Sequence, residues 1–443
     1  MSISAGSIPT ESRNGEDLEN IEAALIPAGR LVPFLVVTFL FFLWAIPNNL
    51  NDILIRQFMK SFNINRSAAA NVQITFYVGY FLLAFPAAQL MRKFGYKMGI
   101  VTGLILLGSG CFLFYPAAQA GLYSFFLVAQ FVIASGLSFL ETGSNSFIAQ
   151  LGPAGSSERR LNLAQAFNPL GSISAGLIGT LFIFSGVKLS DVQVAAMQAA
   201  GTYQQYLHSE TLRVVTPYLV LGTIAFAWAV LILLTKFPVL GGEEKPTESK
   251  PAVSVEPVSL WQRHFVFAVV TQFLYVGAQV GTWSYFIPYV EGATGISDKA
   301  AGYMLTGTLA AFAVGRFGSS ALMRYFHART LLVVYGVANV ILDLVAIVNP
   351  SWAGVICLLL TSLFMSIMFP TIFATGLKGM GAKTKIAGSL LVMAILGGAA
   401  LTKVMGMLAD AAGTHISYIV PLVGFAAVAL YGYFFAGQKH EAA

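Results

Sequence analysis

About twelve apolar stretches, each near the roughly 20 residues an α-helix needs to cross a bilayer, constrain this chain more than any other feature. Lipid gives backbone N–H and C=O groups no partners, so a spanning run must satisfy them within itself, as a helix does. In the first half the stretches fall at 31–55, 69–91, 98–117, 123–149, 161–184 and 214–235. In the second they fall at 265–288, 300–323, 331–349, 352–375, 386–408 and 418–436, with Gly, Pro and basic residues between them. Composition agrees: 57% of residues are hydrophobic and 10% charged, with a mean hydropathy of +0.75, so the outer surface faces lipid. The expected fold class is an all-α polytopic membrane protein with 12 transmembrane helices.

Charge sets the expected topology. The first 30 residues carry Glu11, Glu16, Asp17, Glu19 and Glu22 and lack the basic-then-apolar layout of a cleavable signal, so 1–30 reads as a disordered cytoplasmic tail. With the N-terminus inside, the cytoplasmic segments hold 17 Lys and Arg against 6 outside, leaving Arg316 and Lys403 within helices. This asymmetry predicts that both termini are cytoplasmic, and it accounts for the net charge of +6 without a nucleic-acid partner. The stretch 236–264, with Gly241-Gly242-Glu243-Glu244-Lys245-Pro246 and Pro251, reads as a cytoplasmic linker. It separates an N-terminal six-helix half, 31–235, from a C-terminal six-helix half, 265–436, with a short cytoplasmic tail at 437–443. Leu90-Met91-Arg92-Lys93-Phe94 and Leu322-Met323-Arg324-Tyr325-Phe326 echo each other across the halves. Cys111 and Cys357 both fall in predicted spans and predict neither a disulfide nor a metal site.

Polar residues inside the spans are the candidates for function. Glu141 lies in the apolar stretch Tyr123 to Leu151, where a carboxylate costs several kcal/mol and needs a partner or a proton. Asp52 lies near the end of the first span. Trp44, Asn48 and Asp52 follow at i, i+4 and i+8 on one stripe, combining an indole with hydrogen-bonding groups as a sugar site requires. Glu141 and Asn145 share a face of the fourth span, while Gln165, Asn168 and Ser172 share one on the fifth. Gln272, Tyr275, Gln279 and Trp283 repeat the pattern on the seventh. Against these readings stand plainer ones: amides also glue helices together in membranes, tryptophans anchor at interfaces, and Asp52 can simply be solvated at a span end.

Taken together, these segments resemble the fucose:proton symporter family of the major facilitator superfamily. The first-helix run Phe41-Phe42-Leu43-Trp44-Ala45-Ile46-Pro47-Asn48-Asn49-Leu50-Asn51-Asp52 carries the resemblance, as does Leu140-Glu141-Thr142 with Asn145. So do Leu161 to Asn168, Tyr275-Val276-Gly277-Ala278-Gln279, Trp283-Ser284-Tyr285, Leu305-Thr306-Gly307-Thr308, Gly315-Arg316-Phe317 and Pro370-Thr371-Ile372-Phe373. The resemblance spans about 33 to 436 and implies a major facilitator fold, working as a sugar symporter in the bacterial inner membrane; length gives no reason to require a partner subunit, so a monomer is the default expectation. It implies that Glu141 and Asp52 couple proton uptake to sugar, that Gln165 and Asn168 line the sugar cavity, and that the proton is the coupling ion, with no cofactor. The expected partners are a monosaccharide and the lipid bilayer. The further candidates for sugar contact are Trp44, Asn48, Asn145, Tyr275, Gln279 and Trp283.

The chain departs from the family pattern where Met368-Phe369 replaces a Gln-Tyr pair, which leaves the sugar open between L-fucose and a glucose or galactose type. Asp343 and Lys403 are further departures, readable as a buried pair or as a group facing water at a helix end. Arg316 is expected to hold helix-end carbonyls or a carboxylate. No H-E-x-x-H, G-x-S-x-G or P-loop pattern supports an enzyme, and the five histidines fall in loops or the tail. A sugar sensor would more naturally carry a large output domain. Sodium remains the alternative coupling ion, because carboxylate and carbonyl oxygens suit hard cations.

Overall fold

A computed structural model describes residues 25–69, 71–187, 189–240 and 259–435. The expected tail over 1–24, the linker core 241–258 and the C-terminal residues from 436 lie outside the described residues. Among those described, the elements are helical. In chain order they are α1 (Leu31–Ser61), α2 (Asn71–Ala120), α3 (Tyr123–Gln150), α4 (Ser157–Gln165), α5 (Asn168–Ile178), α6 (Asp191–Ala199), α7 (Tyr203–Leu212) and α8 (Val215–Leu234). They continue with α9 (Arg263–Ser284), α10 (Phe286–Thr294), α11 (Asp298–Leu322), α12 (Ala328–Val348), α13 (Trp352–Met365), α14 (Met368–Leu377), α15 (Thr384–Met393), α16 (Gly397–Ala412) and α17 (Ile419–Phe434).

Ten helical segments among the described residues are long and apolar enough to cross a membrane. One of them, α2, has 50 residues and at about 1.5 Å per residue would overshoot a ~30 Å hydrocarbon core more than twofold as a straight rod. It reverses at Gly95, whose φ of 82° and ψ of 168° are open only to glycine. Counting both arms of α2 and adding α11 gives the twelve crossings expected.

The expected spans otherwise match with shifted ends, and several are interrupted. The fifth crossing breaks between α4 and α5 at Ala166-Phe167, and the eleventh breaks between α15 and α16 at Ala394–Leu396. These are corresponding crossings of the two halves, which is where transporters of repeated architecture unwind helices around a substrate. The tenth crossing breaks as well, between α13 and α14. Pro169 opens α5 at a position where its missing N–H costs nothing.

Within each half the helices pack through glycines. A Cβ on Gly171 would lie 2.3 Å from the Phe42 carbonyl, joining α5 to α1, and one on Gly397 would lie 2.0 Å from the Phe273 carbonyl, joining α16 to α9. Such close approach is how helices gain contact in lipid. Buried amides add to it: Gln130 Nε2 donates to Asn51 Oδ1 at 2.6 Å. At the end carrying the basic loops, cations cap helices. Arg160 is fully buried and donates to the Ile148 carbonyl at 2.7 Å and the Ala149 carbonyl at 2.5 Å, closing α3. Lys97 does the same for α8 through the Leu233 and Thr235 carbonyls.

The halves meet at this basic end. Lys378 Nζ lies 2.5 Å from Glu158 Oε1, Asn162 Nδ2 donates to Thr371 Oγ1 at 3.1 Å, and Thr375 Oγ1 donates to Glu158 Oε1 at 3.4 Å. Lys385 Nζ stands 4.7 Å over the Tyr96 ring.

Candidate functional site

Glu141 is the one residue between Ile133 and Ala149 that keeps appreciable accessible surface; its neighbours along α3 are buried. Because α3 is enclosed by other helices, this carboxyl opens into the protein interior. Tyr80 from α2 and Asn145, one turn further on α3, flank it, and Arg316 acts on it electrostatically. The Tyr80 hydroxyl and the Asn145 amide nitrogen make no hydrogen bond of normal geometry among the described residues. The Glu141 carboxyl is the neighbour that both donors address.

Arg316 organises the rest of the site. From α11 its Nε donates to the Ser366 carbonyl at 2.8 Å, and its Nη1 donates to the Gln165 carbonyl at 2.8 Å. Both acceptors sit at helix breaks, Ser366 just beyond α13 and Gln165 at the end of α4, where carbonyls lose their intrahelical partners. One guanidinium thus ties the broken fifth crossing of the first half to the broken tenth of the second. Its expected role on helix-end carbonyls is what the structure displays. Tyr275 completes the tenth-crossing break, donating its hydroxyl to the Met365 carbonyl at 2.8 Å.

The other expected residues divide into two groups. Gln165 Nε2 donates to Asn145 Oδ1 at 2.8 Å, which places both beside Glu141. Trp283 Nε1 donates to Ser362 Oγ at 3.1 Å, and its ring meets Phe312 edge-on at 5.1 Å. Phe312 in turn lies 4.7 Å beneath the Arg316 guanidinium, so an aromatic series runs from Trp283 to Arg316. Gln279 is half-buried one turn beyond Tyr275. Asn168, also half-buried, donates to the Phe41 carbonyl at 3.3 Å. Asn48 and Asp52 are exposed on α1, whereas Trp44 is buried against Phe41, ring centroids 4.4 Å apart. Trp44 therefore does not share their open face, because the helix turns its indole into the packing of the first half.

Sequence reasoning missed Tyr77 and Tyr80, which stand between the two acidic candidates. Tyr80 interacts with Glu141 and Tyr77, and Tyr77 with Asp52. Their spacing of three on α2, which puts both on one helix face, was the available signal. The pairing of Asp343 with Lys403 does not form: Lys403 is exposed, while Asp343 is fully buried with neither carboxyl oxygen hydrogen-bonded among the described residues. The two side chains sit on helices that turn them in different directions. A groove of about 470 Å³ at the basic end, lined by residues including Lys97, Phe147 and Lys236, shares no residue with the candidate site.

Residues 34–385 match the family model of the Major Facilitator Superfamily. The chain belongs to that superfamily. As a member it is a multi-pass membrane transporter and not an enzyme. It is 41% identical over 407 residues to the L-fucose-proton symporter of Escherichia coli (strain K12), covering 91% of this chain and 93% of that protein. It is 35% identical over 400 residues to the glucose/galactose transporter of Brucella abortus biovar 1 (strain 9-941), covering 89% and 92%. The solved structure of the E. coli transporter FucP in the outward conformation superposes with a TM-score of 0.83 at 40% identity, covering 92% of this chain and 99% of that one.

Proposed function

We propose that the protein is a proton-coupled symporter that imports L-fucose or a closely related monosaccharide across the bacterial inner membrane by alternating access. The observation that carries this reading is the Glu141 carboxyl, open to the interior of an otherwise buried helix and flanked by the Tyr80 hydroxyl and the Asn145 amide beside two broken helices. A carboxyl so placed takes up a proton more readily than it bears a charge, and a neutral loaded carrier crosses an apolar barrier more easily than a charged one. Tyr77 and Tyr80 offer hydroxyls along the way from Asp52. The printed activity of the E. coli relative supports the substrate class and the coupling ion.

In this reading Glu141 carries the proton and Asp52 couples it to sugar. Asn48, Asn145, Gln165, Asn168, Gln279, Tyr275 and Trp283 surround the sugar, with Arg316 fixing the backbone carbonyls around it. Trp44 supports this face from behind. The halves 31–235 and 265–436 rock about the site, joined by 236–264, and both termini lie in the cytoplasm. The basic end is then the closed cytoplasmic gate, in keeping with the outward conformation of the similar FucP structure. No cofactor takes part, and a monomer suffices.

A second sugar class is supported by the Brucella relative's printed name and by Met368 and Phe369, apolar residues buried directly beyond the Ser366 break. The test is uptake of labelled L-fucose into vesicles containing the purified protein, with an imposed pH gradient in sodium-free buffer and internal pH recorded. Uphill accumulation with matching proton entry is expected. Uptake of glucose or galactose alone would move the assignment to the second class, and uptake that requires sodium would refute proton coupling.

A further inference from the structure

A second buried carboxyl lies away from this site. Asp343, on α12 inside the C-terminal half, is fully buried, and so is Asn339 one helical turn before it. Neither the Asp343 oxygens nor the Asn339 amide atoms make a hydrogen bond among the described residues. Among the described residues the titratable groups that face Asp343 are Tyr289 from α10, Cys357 from α13 and Tyr418 at the start of α17, none of them a cation.

The orientation of those tyrosines decides what the carboxyl must be. Tyr289 donates its hydroxyl proton to the Ala346 carbonyl at 2.7 Å, and Tyr418 donates its own to the Thr282 carbonyl at 3.2 Å. Each hydroxyl has one proton to give, so both present lone pairs alone to anything else. An ionised carboxylate only accepts, and with both hydroxyl protons spent it would have the neutral Asn339 amide and no cation to offset its charge in a dry interior, at a cost of several kcal/mol. A carboxylic acid carries no charge to offset and can donate as well as accept. A metal cation needs several oxygen ligands and room for itself, whereas a proton needs neither.

We propose that Asp343 is a proton-binding site separate from the transport pathway: a neutral acid whose proton is structural and stays in place while sugar and coupling protons move. Infrared spectroscopy of the full-length protein labelled with carboxyl-¹³C aspartate tests this, using an Asp52→Asn background so that Asp343 is the aspartate left at membrane depth. Aspartates in water are ionised at pH 8. An isotope-shifted carboxylic-acid C=O band that persists at pH 8 and is lost in Asp343→Asn is expected. Asp343→Asn made in the otherwise native chain should match it in thermal midpoint and in pH-driven uptake, because an amide reproduces the shape and donor of the neutral acid. Absence of the band overturns the proposal, as does a thermal midpoint that rises with added sodium and loses that dependence in Asp343→Asn. If Asp343→Asn does not fold, the band in the Asp52→Asn background decides by itself.

Discussion

Replacing Lys378 by Met tests whether the contact at the basic end is a gate between states or merely packing. Lys378 Nζ lies 2.5 Å from Glu158 Oε1, with the lysine side chain 33% exposed and the glutamate side chain 7% exposed. Breaking a fully buried pair costs about 3–5 kcal/mol, and an exposed pair is worth about 0.2–1 kcal/mol. With one partner buried and the other a third open, the closed arrangement should lose about 2 kcal/mol, roughly 30-fold in population. Glu158 keeps its contacts from Ser157 and Thr375, and the Lys378 carbonyl keeps its bond to His264 Nε2, so the local fold survives. If the opposite state holds about 1% of the parent, it rises to roughly a quarter in the variant. Spin labels at Lys93 and Tyr325, exposed on opposite halves, report this by electron–electron distance once Cys111 and Cys357 are replaced. Lys378→Met should build a longer-distance population, and Lys378→Arg should not. A folded Lys378→Met protein with an unchanged distance distribution would refute the reasoning.

Glu141→Gln should abolish uphill, pH-driven accumulation while leaving sugar exchange intact; retained accumulation would sink its role as proton carrier. Arg316→Lys cannot reach both the Ser366 and Gln165 carbonyls, and losing one charge-assisted bond of about 1.5–3 kcal/mol should weaken sugar binding by about tenfold or more. Calorimetric titration reads this, and unchanged affinity counts against the tie between the helix breaks. Gly397→Ala drives a methyl into the Phe273 carbonyl, so its thermal midpoint in detergent should fall by the equivalent of about 1–3 kcal/mol. Phe369→Tyr, which adds a hydroxyl beside the Ser366 break, should shift the sugar preference in a competition panel; an unaltered ranking would remove that position from specificity.

The sequence alone determined the crossings, because a run of apolar residues long enough to span a bilayer has one economical way to satisfy its backbone, and because basic loops mark one end. It also flagged Glu141, since a carboxylate surrounded by Phe, Leu and Ile in sequence is anomalous wherever the helix goes. The i, i+4 stripes were legible as stripes, yet they did not say which way each faced. Trp44 shares a stripe with Asn48 and Asp52 but is buried, because a helix packed on two sides turns adjacent parts of one stripe toward different neighbours. The breaks at Ala166-Phe167 and Ala394–Leu396 carry little sequence signal beyond Pro169 and Gly397, and at the first of them the freed Gln165 carbonyl is taken by Arg316 from a distant helix. Only the tertiary structure brought Arg316 to two helix ends that are 151 and 50 residues away, and only it separated Asp343 from Lys403. Periodicity and hydropathy are local properties of the chain, whereas a guanidinium's partners and a carboxyl's isolation depend on which helices meet across the bundle.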